Sequence, residues 1–259
     1  MNTFAVQTEQ FHKLHIPGQP LILMNVWDAG SAITVEQTGA QALATGSWAV
    51  AHAHGYEDSE QLAWELVLAN VQHICRVTHT PVTIDIESGY GVDPDMIGRH
   101  VLQVIAYGAV GINLEDRLPD GQGLYSITEQ SERLRAARYA GNLHDGQLFI
   151  NARTDLFFQN PTDAHSIQHI DQALERAQAY AEAGANGLFV PGLSDLALIE
   201  ALCKQSPLPI NVMVNSEADW NALAQCGVAR ISYGPAPYLQ ALQTLKQMAQ
   251  QIYDLPLVK

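Results

Sequence analysis

The stretch PVTIDIESGYG at residues 81–91 carries the clearest indication of the fold. Its first half has the pattern of a short buried strand, but two carboxylates, Asp85 and Glu87, stand at alternate positions just before a turn with two glycines. Side chains two residues apart on a strand lie on the same face, so we expect these carboxylates to project together. Paired carboxylates repel unless a cation compensates, and a hard divalent ion is the economical explanation. The alternative is a pair of solvated charges at a strand end.

Similar short apolar runs recur along the chain and alternate with longer amphipathic segments. The predicted strands are 21–26, 42–45, 82–87, 111–115, 148–151, 187–190, 210–214 and 229–232. The predicted helices are 31–37, 60–73, 94–107, 127–140, 167–183, 196–204, 217–225 and 238–251. Eight strands alternating with eight helices predict an α/β fold, a single (β/α)₈ barrel over residues 1–259. A doubly wound open sheet is the alternative, but no Gly-x-Gly-x-x-Gly turn follows the first strand.

Such a barrel places its chemistry at the C-terminal ends of the strands, where polar residues should therefore collect. Polar residues do follow the predicted strands: Asn25, Asp28, Thr45, Ser47, Asp85, Glu87, Glu115, Asp116, Arg117, Asn151, Arg153, Asp155, Asn211 and Asn215. Two of them, Asp28 and Asp116, are equally good candidates for a helix cap or a loop salt bridge. The number of carboxylates at one rim nevertheless indicates a functional site.

Four carboxylates are candidates for a metal site at this rim. Asp85 is predicted to contact the metal directly because it lies deepest in its strand, while Glu87 and Glu115 would hold the metal's water molecules. Asp58 lies in the loop after the second strand. It is predicted to reach the same metal or to act as base or nucleophile, and the alternative is an N-terminal cap for the helix that begins near residue 60.

The remaining polar groups at the rim suit a small 2-oxo acid. Arg153 is predicted to hold a substrate carboxylate by two parallel hydrogen bonds, and an ion pair with Glu115 or Asp155 is an alternative that can coexist with that role. The turn Thr45-Gly46-Ser47 offers backbone N–H groups for an anion or oxyanion. Together with a metal, these groups would stabilise an enolate at C2–C3, so that the bond to the C3 substituent breaks or forms.

The composition limits the partners and the compartment. The chain has 13 Lys and Arg against 27 Asp and Glu, a net charge of −14, and no basic run, so neither nucleic acid nor an anionic membrane is expected as a partner. A small anionic substrate must then be held by local cations or backbone dipoles. The three cysteines are widely separated, and neither a secretory leader nor a membrane-length apolar run is found. We therefore predict a cytoplasmic protein with reduced thiols.

Seven phrases of the sequence resemble the isocitrate lyase/phosphoenolpyruvate mutase superfamily. They are NVWDAGSA at 25–32, ATGS at 44–47, GYED at 55–58, DIESGYG at 85–91, GINLED at 111–116, NARTD at 151–155 and RISYG at 230–234. The resemblance implies a TIM barrel whose final helix is exchanged between subunits of a homodimer or homotetramer. It also implies Mg²⁺, with Mn²⁺ as the alternative, at Asp85, and Asp58, Glu87 and Glu115 around the ion mainly through water.

In that superfamily C–C or P–C bonds next to a 2-oxo acid are cleaved or formed. The resemblance implies that Arg153 and the backbone of Gly46 and Ser47 hold the substrate, with Asp58, Glu115 and Arg153 as the catalytic groups. The lyase branch carries Lys-Lys-Cys-Gly-His in the mobile loop after the fourth strand, where this chain has RLPDGQGL at 117–124. The Lys- and Asn-bearing loop of the mutase and hydrolase branch is also absent, and we find no cation there to hold a migrating phosphoryl group.

What remains is similar to the oxaloacetate decarboxylases and to lyases that act on substituted malates. We therefore predict a Mg²⁺-dependent carbon–carbon lyase or decarboxylase, oxaloacetate decarboxylase-like or methylisocitrate lyase-like, acting on a small dicarboxylate or 2-oxo acid. One alternative is a P–C bond enzyme of the phosphonopyruvate hydrolase or phosphoenolpyruvate mutase type, with Asp58 as nucleophile. The other is a catalytically silent barrel that binds a 2-oxo acid, since a fold does not by itself imply activity.

Overall fold

The structure is a computed structural model that describes residues 3–144, 147–215 and 218–254. Its strands are β1 Leu21–Leu23, β2 Asn25–Val26, β3 Leu43–Thr45, β4 Val82–Asp85, β5 Gly111–Glu115, β6 Phe149–Arg153, β7 Gly187–Phe189, β8 Ile210–Met213 and β9 Arg230–Ser232. The α-helices are α1 Thr3–Lys13, α2 Ala29–Glu36, α3 Ser47–Ala53, α4 Trp64–Val77, α5 Pro94–Ala106, α6 Ile127–Gly141, α7 Ile167–Glu182, α8 Leu196–Gln205, α9 Trp220–Gln225 and α10 Ala236–Tyr253. Short 3₁₀ helices lie at Leu156–Phe158 and Thr162–Ala164.

The strands form one parallel sheet in the order β1-β9-β8-β7-β6-β5-β4-β3-β2. β1 pairs with β9 and β2 pairs with β3, and only Met24 separates β1 from β2. The two short strands therefore act as one strand interrupted at Met24, which brings the two edges of the sheet together as a barrel. The predicted (β/α)₈ barrel is confirmed, and the open doubly wound sheet is wrong.

The strands are buried on both faces, as expected of a parallel sheet covered by helices. Ile84, Ile112, Ile150, Leu188 and Ile231 are all at most 1% exposed and belong to one large apolar cluster with the inner faces of the helices. Because every strand runs in the same direction, the polar residues at the strand ends reach one rim of the barrel.

Two helices were not predicted from the sequence. α1 closes the opposite, N-terminal end of the barrel, where Phe11 and His15 contact the ring of Phe149. α3 is short and almost wholly apolar, and Ala49, Val50 and Ala51 are buried, so it shows no amphipathic period. The predicted start of the helix at residue 217 lies outside the described residues, and α9 begins at Trp220.

The last helix, α10, is only anchored at its first turn. Pro237 and Tyr238 are buried, whereas Leu239, Leu242, Leu245, Met248 and Ile252 are 43–62% exposed. This apolar face, which we call the α10 face, has no cover within the described chain. No helix of the described residues is long and apolar enough to cross a lipid bilayer.

Candidate active site

A cavity of about 170 Å³ opens at the C-terminal ends of the strands. It is lined by Asn25, Gly46, Ser47, Trp48, Asp58, Asp85, Asn113, Arg153, Phe158, Phe189, Met213, Ser232, Gly234 and Pro235. Predicted site residues from four separate parts of the sequence (Gly46 and Ser47, Asp58, Asp85, and Arg153) therefore meet in one place.

Asp85 is the last residue of β4, and its two carboxylate oxygens differ in environment. Oδ2 accepts hydrogen bonds from the Ser47 N–H at 3.2 Å and the Ser47 hydroxyl at 2.9 Å. The Asp85 N–H donates to the Thr45 hydroxyl at 2.9 Å, which fixes the end of the strand. Oδ1 is buried and has no hydrogen-bond partner. A buried oxygen that is left unpaired costs free energy unless a ligand or ion takes it up.

Asp58 has a similarly unpartnered oxygen beside Asp85. Its Oδ1 is buried without a hydrogen-bond partner. Burial and the charge of Asp85 raise the pKa of Asp58, against the opposing fields of Arg153 and Arg117. The alternative role as a helix cap is wrong, because α4 begins at Trp64 with Ala63 at its N-cap position.

The two unpartnered oxygens fit a hard divalent cation. Within residues 3–144, 147–215 and 218–254, no three His, Cys, Asp or Glu side chains converge closely enough to hold an ion among themselves. Mg²⁺ commonly takes one or two protein carboxylates and keeps several water molecules. Asp85 and Asp58 match that ligand number, so the residues present fit the predicted ion.

Glu87 departs from the expected strand geometry. β4 ends at Asp85, and Glu87 has a left-handed backbone with φ +51°, so the alternation of the strand does not extend to it. Its Oε1 accepts from the Tyr90 hydroxyl at 2.6 Å and its Oε2 from the Glu60 N–H at 2.7 Å. Burial and the charge of Asp58 raise the pKa of Glu87 to about 7. The predicted role of Glu87 in holding the metal's water stays a prediction.

Glu60 completes a reciprocal link between two loops. Its Oε1 accepts from the Ser88 hydroxyl and from the Tyr90 N–H, while its own N–H binds Glu87. We call Glu60, Glu87, Ser88 and Tyr90 the loop latch. The latch ties the loop that carries Asp58 to the turn that follows β4, and so fixes where Asp58 lies relative to Asp85.

Arg153 is fixed among carboxylates. Its Nε and Nη2 donate to the two oxygens of Asp155 at 2.6 and 2.9 Å, and its Nη1 lies 2.9 Å from Glu115 and 3.9 Å from Asp85. Burial opposes its charge, but Glu115 and Asp155 hold the pKa of Arg153 well above its ordinary value. Burial also raises the pKa of Glu115, and Arg153 opposes that rise. The predicted ion pairs are present, and the binding of a substrate carboxylate stays a prediction.

The turn Thr45-Gly46-Ser47 differs from the open anion nest that the sequence suggested. The Gly46 N–H donates to the Val26 carbonyl at 3.3 Å, and the Ser47 N–H is taken by Asp85. The Asn25 amide donates to the Thr45 carbonyl and joins this turn to the barrel wall. The turn therefore orients Asp85 in this structure, and its role toward a substrate oxyanion remains a prediction.

Asp28 and Asp116 have the structural roles that were given as their alternative, a helix cap and a salt bridge. Asp28 caps α2 by accepting from the Ser31 N–H at 2.7 Å. Asp116 is fully buried and accepts from the Asp155 N–H, from Arg176 and from the Tyr180 hydroxyl. It thereby holds the segment next to Arg153 in place.

Sequence reasoning missed several residues at the site. Arg117 opens the loop after β5, and its positive field opposes the rise in the pKa of Asp58, an influence that was not predicted. Arg117 does not line the cavity, so the expected lack of a cation that could hold a phosphoryl group stays a prediction. Trp48 is not among the predicted site residues, but it is half-buried, stacks on His52 with 3.6 Å between the ring centres, and lines the cavity. Phe189 and Phe158 also line the cavity. Phe189 could have been predicted to do so, because it lies at the C-terminal end of β7.

The fold and the site define an α/β-barrel protein with an acidic cavity at its C-terminal rim. The model of the phosphoenolpyruvate phosphomutase family matches residues 11–253. The chain belongs to this family, and with it to the isocitrate lyase/phosphoenolpyruvate mutase superfamily of lyases and mutases. An uncharacterized protein of Mycobacterium tuberculosis is 31% identical, covering 94% of this chain and 89% of the relative. The 2-methylisocitrate lyase of Escherichia coli is 26% identical, covering 93% of this chain and 85% of that enzyme.

Solved structures agree with this assignment. A putative phosphonomutase from Burkholderia cenocepacia is 48% identical with a TM-score of 0.93, covering 96% of this chain and 99% of that one. A phosphonopyruvate hydrolase solved with oxalate and Mg²⁺ is 21% identical with a TM-score of 0.82, covering 95% of this chain and 87% of that one. This second likeness concerns the fold alone.

Proposed function

We propose that the protein is a Mg²⁺-dependent carbon–carbon lyase or decarboxylase that acts on a small dicarboxylate next to its 2-oxo or 2-hydroxy carbon. The observation that carries this proposal is the pair of unpartnered oxygens on Asp58 and Asp85 beside a guanidinium fixed as a cation. Carboxylates that repel one another and lack partners are costly to keep in a cavity without a bound cation.

Asp85 and Asp58 would hold the ion directly, and Glu87 and Glu115 would hold its water molecules. When bound, Mg²⁺ supplies a Lewis acid for the oxygens of the 2-oxo acid. A nearby divalent charge also favours the ionised forms of the surrounding carboxylates, whose pKa values burial otherwise raises.

The chain's own groups would bind and orient the substrate. Arg153 lines the cavity as a permanent cation and suits the substrate's carboxylate, while the hydroxyl and the N–H of Ser47 donate to Asp85 and orient it at the same cavity. The guanidinium of Arg153 would stabilise the negative charge that develops as the bond to C3 breaks and the electron pair enters an enolate. Loop residue Arg117 adds a further positive field near Asp58.

The unpartnered Oδ1 of Asp58, which lines the cavity, favours P–C chemistry on phosphonopyruvate as a second candidate. There, Asp58 would be the nucleophile toward phosphorus, and Arg117 would offset the phosphoryl charge. Release of inorganic phosphate separates this activity from carbon–carbon cleavage.

We further propose that the protein works as a homodimer or homotetramer in which α10 packs on a neighbouring subunit. The exposed apolar face of α10 supports this proposal, because exposed apolar side chains at helical spacing are typical of a surface that another chain covers.

The test is a turnover assay with Mg²⁺ and three substrates: oxaloacetate, a methylisocitrate-type tricarboxylate and phosphonopyruvate. Pyruvate is coupled to a dehydrogenase, and the rate without enzyme is subtracted. Metal-dependent pyruvate formation from oxaloacetate or from the tricarboxylate that is lost with EDTA and in Asp85→Ala, but kept in the exposed surface variant Asp171→Asn, would support the proposal. Binding of oxalate and Mg²⁺ without any turnover would favour a silent binding protein instead.

A further inference from the structure

A layer of buried polar side chains crosses the interior of the barrel. Its members, each at most 4% exposed, are Asn113, Asn151, Asn211, Arg230 and Ser232, and we call them the polar layer. Nη2 of Arg230 on β9 lies 3.4 Å from Oδ1 of Asn113 on β5, although three strands separate β9 from β5 in the sheet. This contact therefore spans the inside of the barrel, where such folds usually pack branched apolar side chains.

Within the polar layer, Arg230 lies directly beneath the floor of the cavity. Asn113 and Ser232 line the cavity, while Arg230 is 1% exposed. Arg230 precedes Ser232 by two residues on the same face of β9, and its Nε lies 3.4 Å from the Ser232 hydroxyl. Asn113 is in turn paired in register with Asp85 on the neighbouring strand. One layer of side chains therefore separates the guanidinium from the cavity.

The charge of Arg230 is poorly compensated. Arg153 pairs with Glu115 and Asp155, whereas Arg230 forms no ion pair with any carboxylate of residues 3–144, 147–215 and 218–254. Its two contacts at 3.4 Å are long for hydrogen bonds, and its Nη1 is buried without a partner among the same residues. Burying an unpaired cation is costly, and costly exceptions of this kind are expected at functional sites.

The field of Arg230 reaches the carboxylates of the cavity. Burial lowers the pKa of Arg230 to about 9, and the charge of Asp85 opposes that fall. The guanidinium therefore keeps its charge at neutral pH. In a buried environment such a charge acts more strongly than in water, and salt screens it less.

We propose that Arg230 is an electrostatic positioning residue of the active site, whose charge beneath the cavity floor favours the binding of an anionic substrate. This proposal rests on the proposed function. Arg230 would contact neither substrate nor metal and would act across the floor that Asn113 and Ser232 form. A cation that is already in place when negative charge develops on the substrate stabilises that charge without rearrangement. The same cation opposes the binding of a divalent metal, so its effects on metal and substrate have opposite signs.

These opposite signs provide the test, because a merely structural role would weaken both kinds of binding. Arg230→Met removes the charge and keeps a long side chain. Without other ligands, we expect this variant to bind Mg²⁺ roughly ten-fold more tightly than the wild type, measured by competition with Mn²⁺ in electron paramagnetic resonance. At saturating Mg²⁺, we expect it to bind oxalate, a dianion that imitates an enolate, roughly ten-fold more weakly, measured by calorimetric titration.

Two further variants serve as controls. Arg230→Lys keeps the charge and should keep both affinities close to those of the wild type. Arg138→Met removes a partly buried arginine that also has an unpartnered Nη1, but that lies on α6 and donates to the Gly184 carbonyl, so it should change neither affinity. Urea unfolding checks that each variant is folded, and Arg230→Gln replaces Arg230→Met if the methionine variant does not fold.

The failures are distinguishable. Weaker binding of both Mg²⁺ and oxalate in the uncharged variant would mean a structural role and would overturn the proposal. Unchanged oxalate binding in that variant, or an equal loss in Arg230→Lys, would overturn it as well. Each of these results leaves the proposed function standing, because the wild type still binds oxalate with Mg²⁺. Absence of Mg²⁺-dependent oxalate binding in the wild type would overturn the proposed function, and the inference with it.

Discussion

Arg153 determines the charge balance of the cavity, because one guanidinium faces Asp155, Glu115 and Asp85. Its planar fork makes two parallel hydrogen bonds with Asp155. A lysine would keep the charge but could not reproduce this geometry. Arg153 therefore contributes to the stability of the rim, and we expect it also to bind the substrate. Its replacement by lysine keeps the charge and tests the geometry of the guanidinium.

We expect Arg153→Lys to lower the free energy of unfolding by about 1–3 kcal/mol, because buried acceptors on Asp155 and Glu115 lose their partners. The same variant should lower kcat/KM by roughly 100-fold, since a misplaced carboxylate-binding group costs orientation. Urea unfolding and steady-state kinetics measure the two effects. Wild-type values for both would contradict the assigned role of Arg153.

His15 should make the protein sensitive to acid. It is buried against Phe149, and burial lowers its pKa from an ordinary 6.5 to about 3. Between those values the unfolded chain binds a proton that the folded chain excludes. The stability is therefore fully present above pH 6.5 and falls as the pH drops toward 3, by up to about 1.4 kcal/mol per pH unit.

The matched variant for this effect is His15→Leu, which removes the titrating ring. We expect denaturant unfolding between pH 7.5 and 5 to give a free energy of unfolding that depends less on pH than in the wild type. The difference in slope should correspond to the uptake of one proton fewer on unfolding. Equal slopes in the two proteins would mean that His15 does not contribute to acid sensitivity.

At the level of loops and strands, the position of Asp58 depends on the loop latch. Glu60 accepts from both Ser88 and Tyr90. We expect Glu60→Ala to leave these donors unpaired, to cost about 1–2 kcal/mol of stability and to weaken Mg²⁺ binding roughly ten-fold. Thermal unfolding and metal titration would measure both changes.

The control for the loop latch is Glu57→Ala in the same loop. Glu57 is exposed, and its nearest ion-pair partner, His52, lies 4.0 Å away, so its removal should change the stability by less than about 0.5 kcal/mol. Equal effects of the two substitutions would argue against a specific latch.

The strands and the rim were predictable because their signals are local. Most strands are short apolar runs that polar residues follow, and Asp85 lies at the rim as expected, although β4 ends there rather than at residue 87. The left-handed backbone of Glu87 could not be predicted, because it breaks the strand pattern, and the side chain of Glu87 accepts from the N–H of Glu60, 27 residues earlier in the chain. Trp48 was missed because an aromatic residue beside a buried strand has the same local pattern in a core as in a pocket.

At the scale of the whole molecule, the α10 face has no cover within the described residues of one chain. We expect light scattering after gel filtration to give the mass of a dimer or tetramer. The double substitution Leu242→Glu and Leu245→Glu should dissociate it, because charges at an apolar interface are left unpaired.

Gln243 and Gln247 are exposed on the same helix and provide the matched control. Replacing both by Glu adds the same charge outside the apolar stripe and should leave the mass unchanged. A wild-type monomer would contradict the proposed exchange of α10.

The central claim is that Asp58 and Asp85 hold a divalent cation, and the family, the barrel and the acidic cavity all support it. The most direct measurement is a titration of the purified protein with Mn²⁺, followed by electron paramagnetic resonance, with competition by Mg²⁺. We expect one competed site per chain, weakened at least 100-fold in Asp85→Asn and also weakened in Asp58→Asn, but unchanged in Asp171→Asn. Wild-type affinity in both site variants would contradict the account.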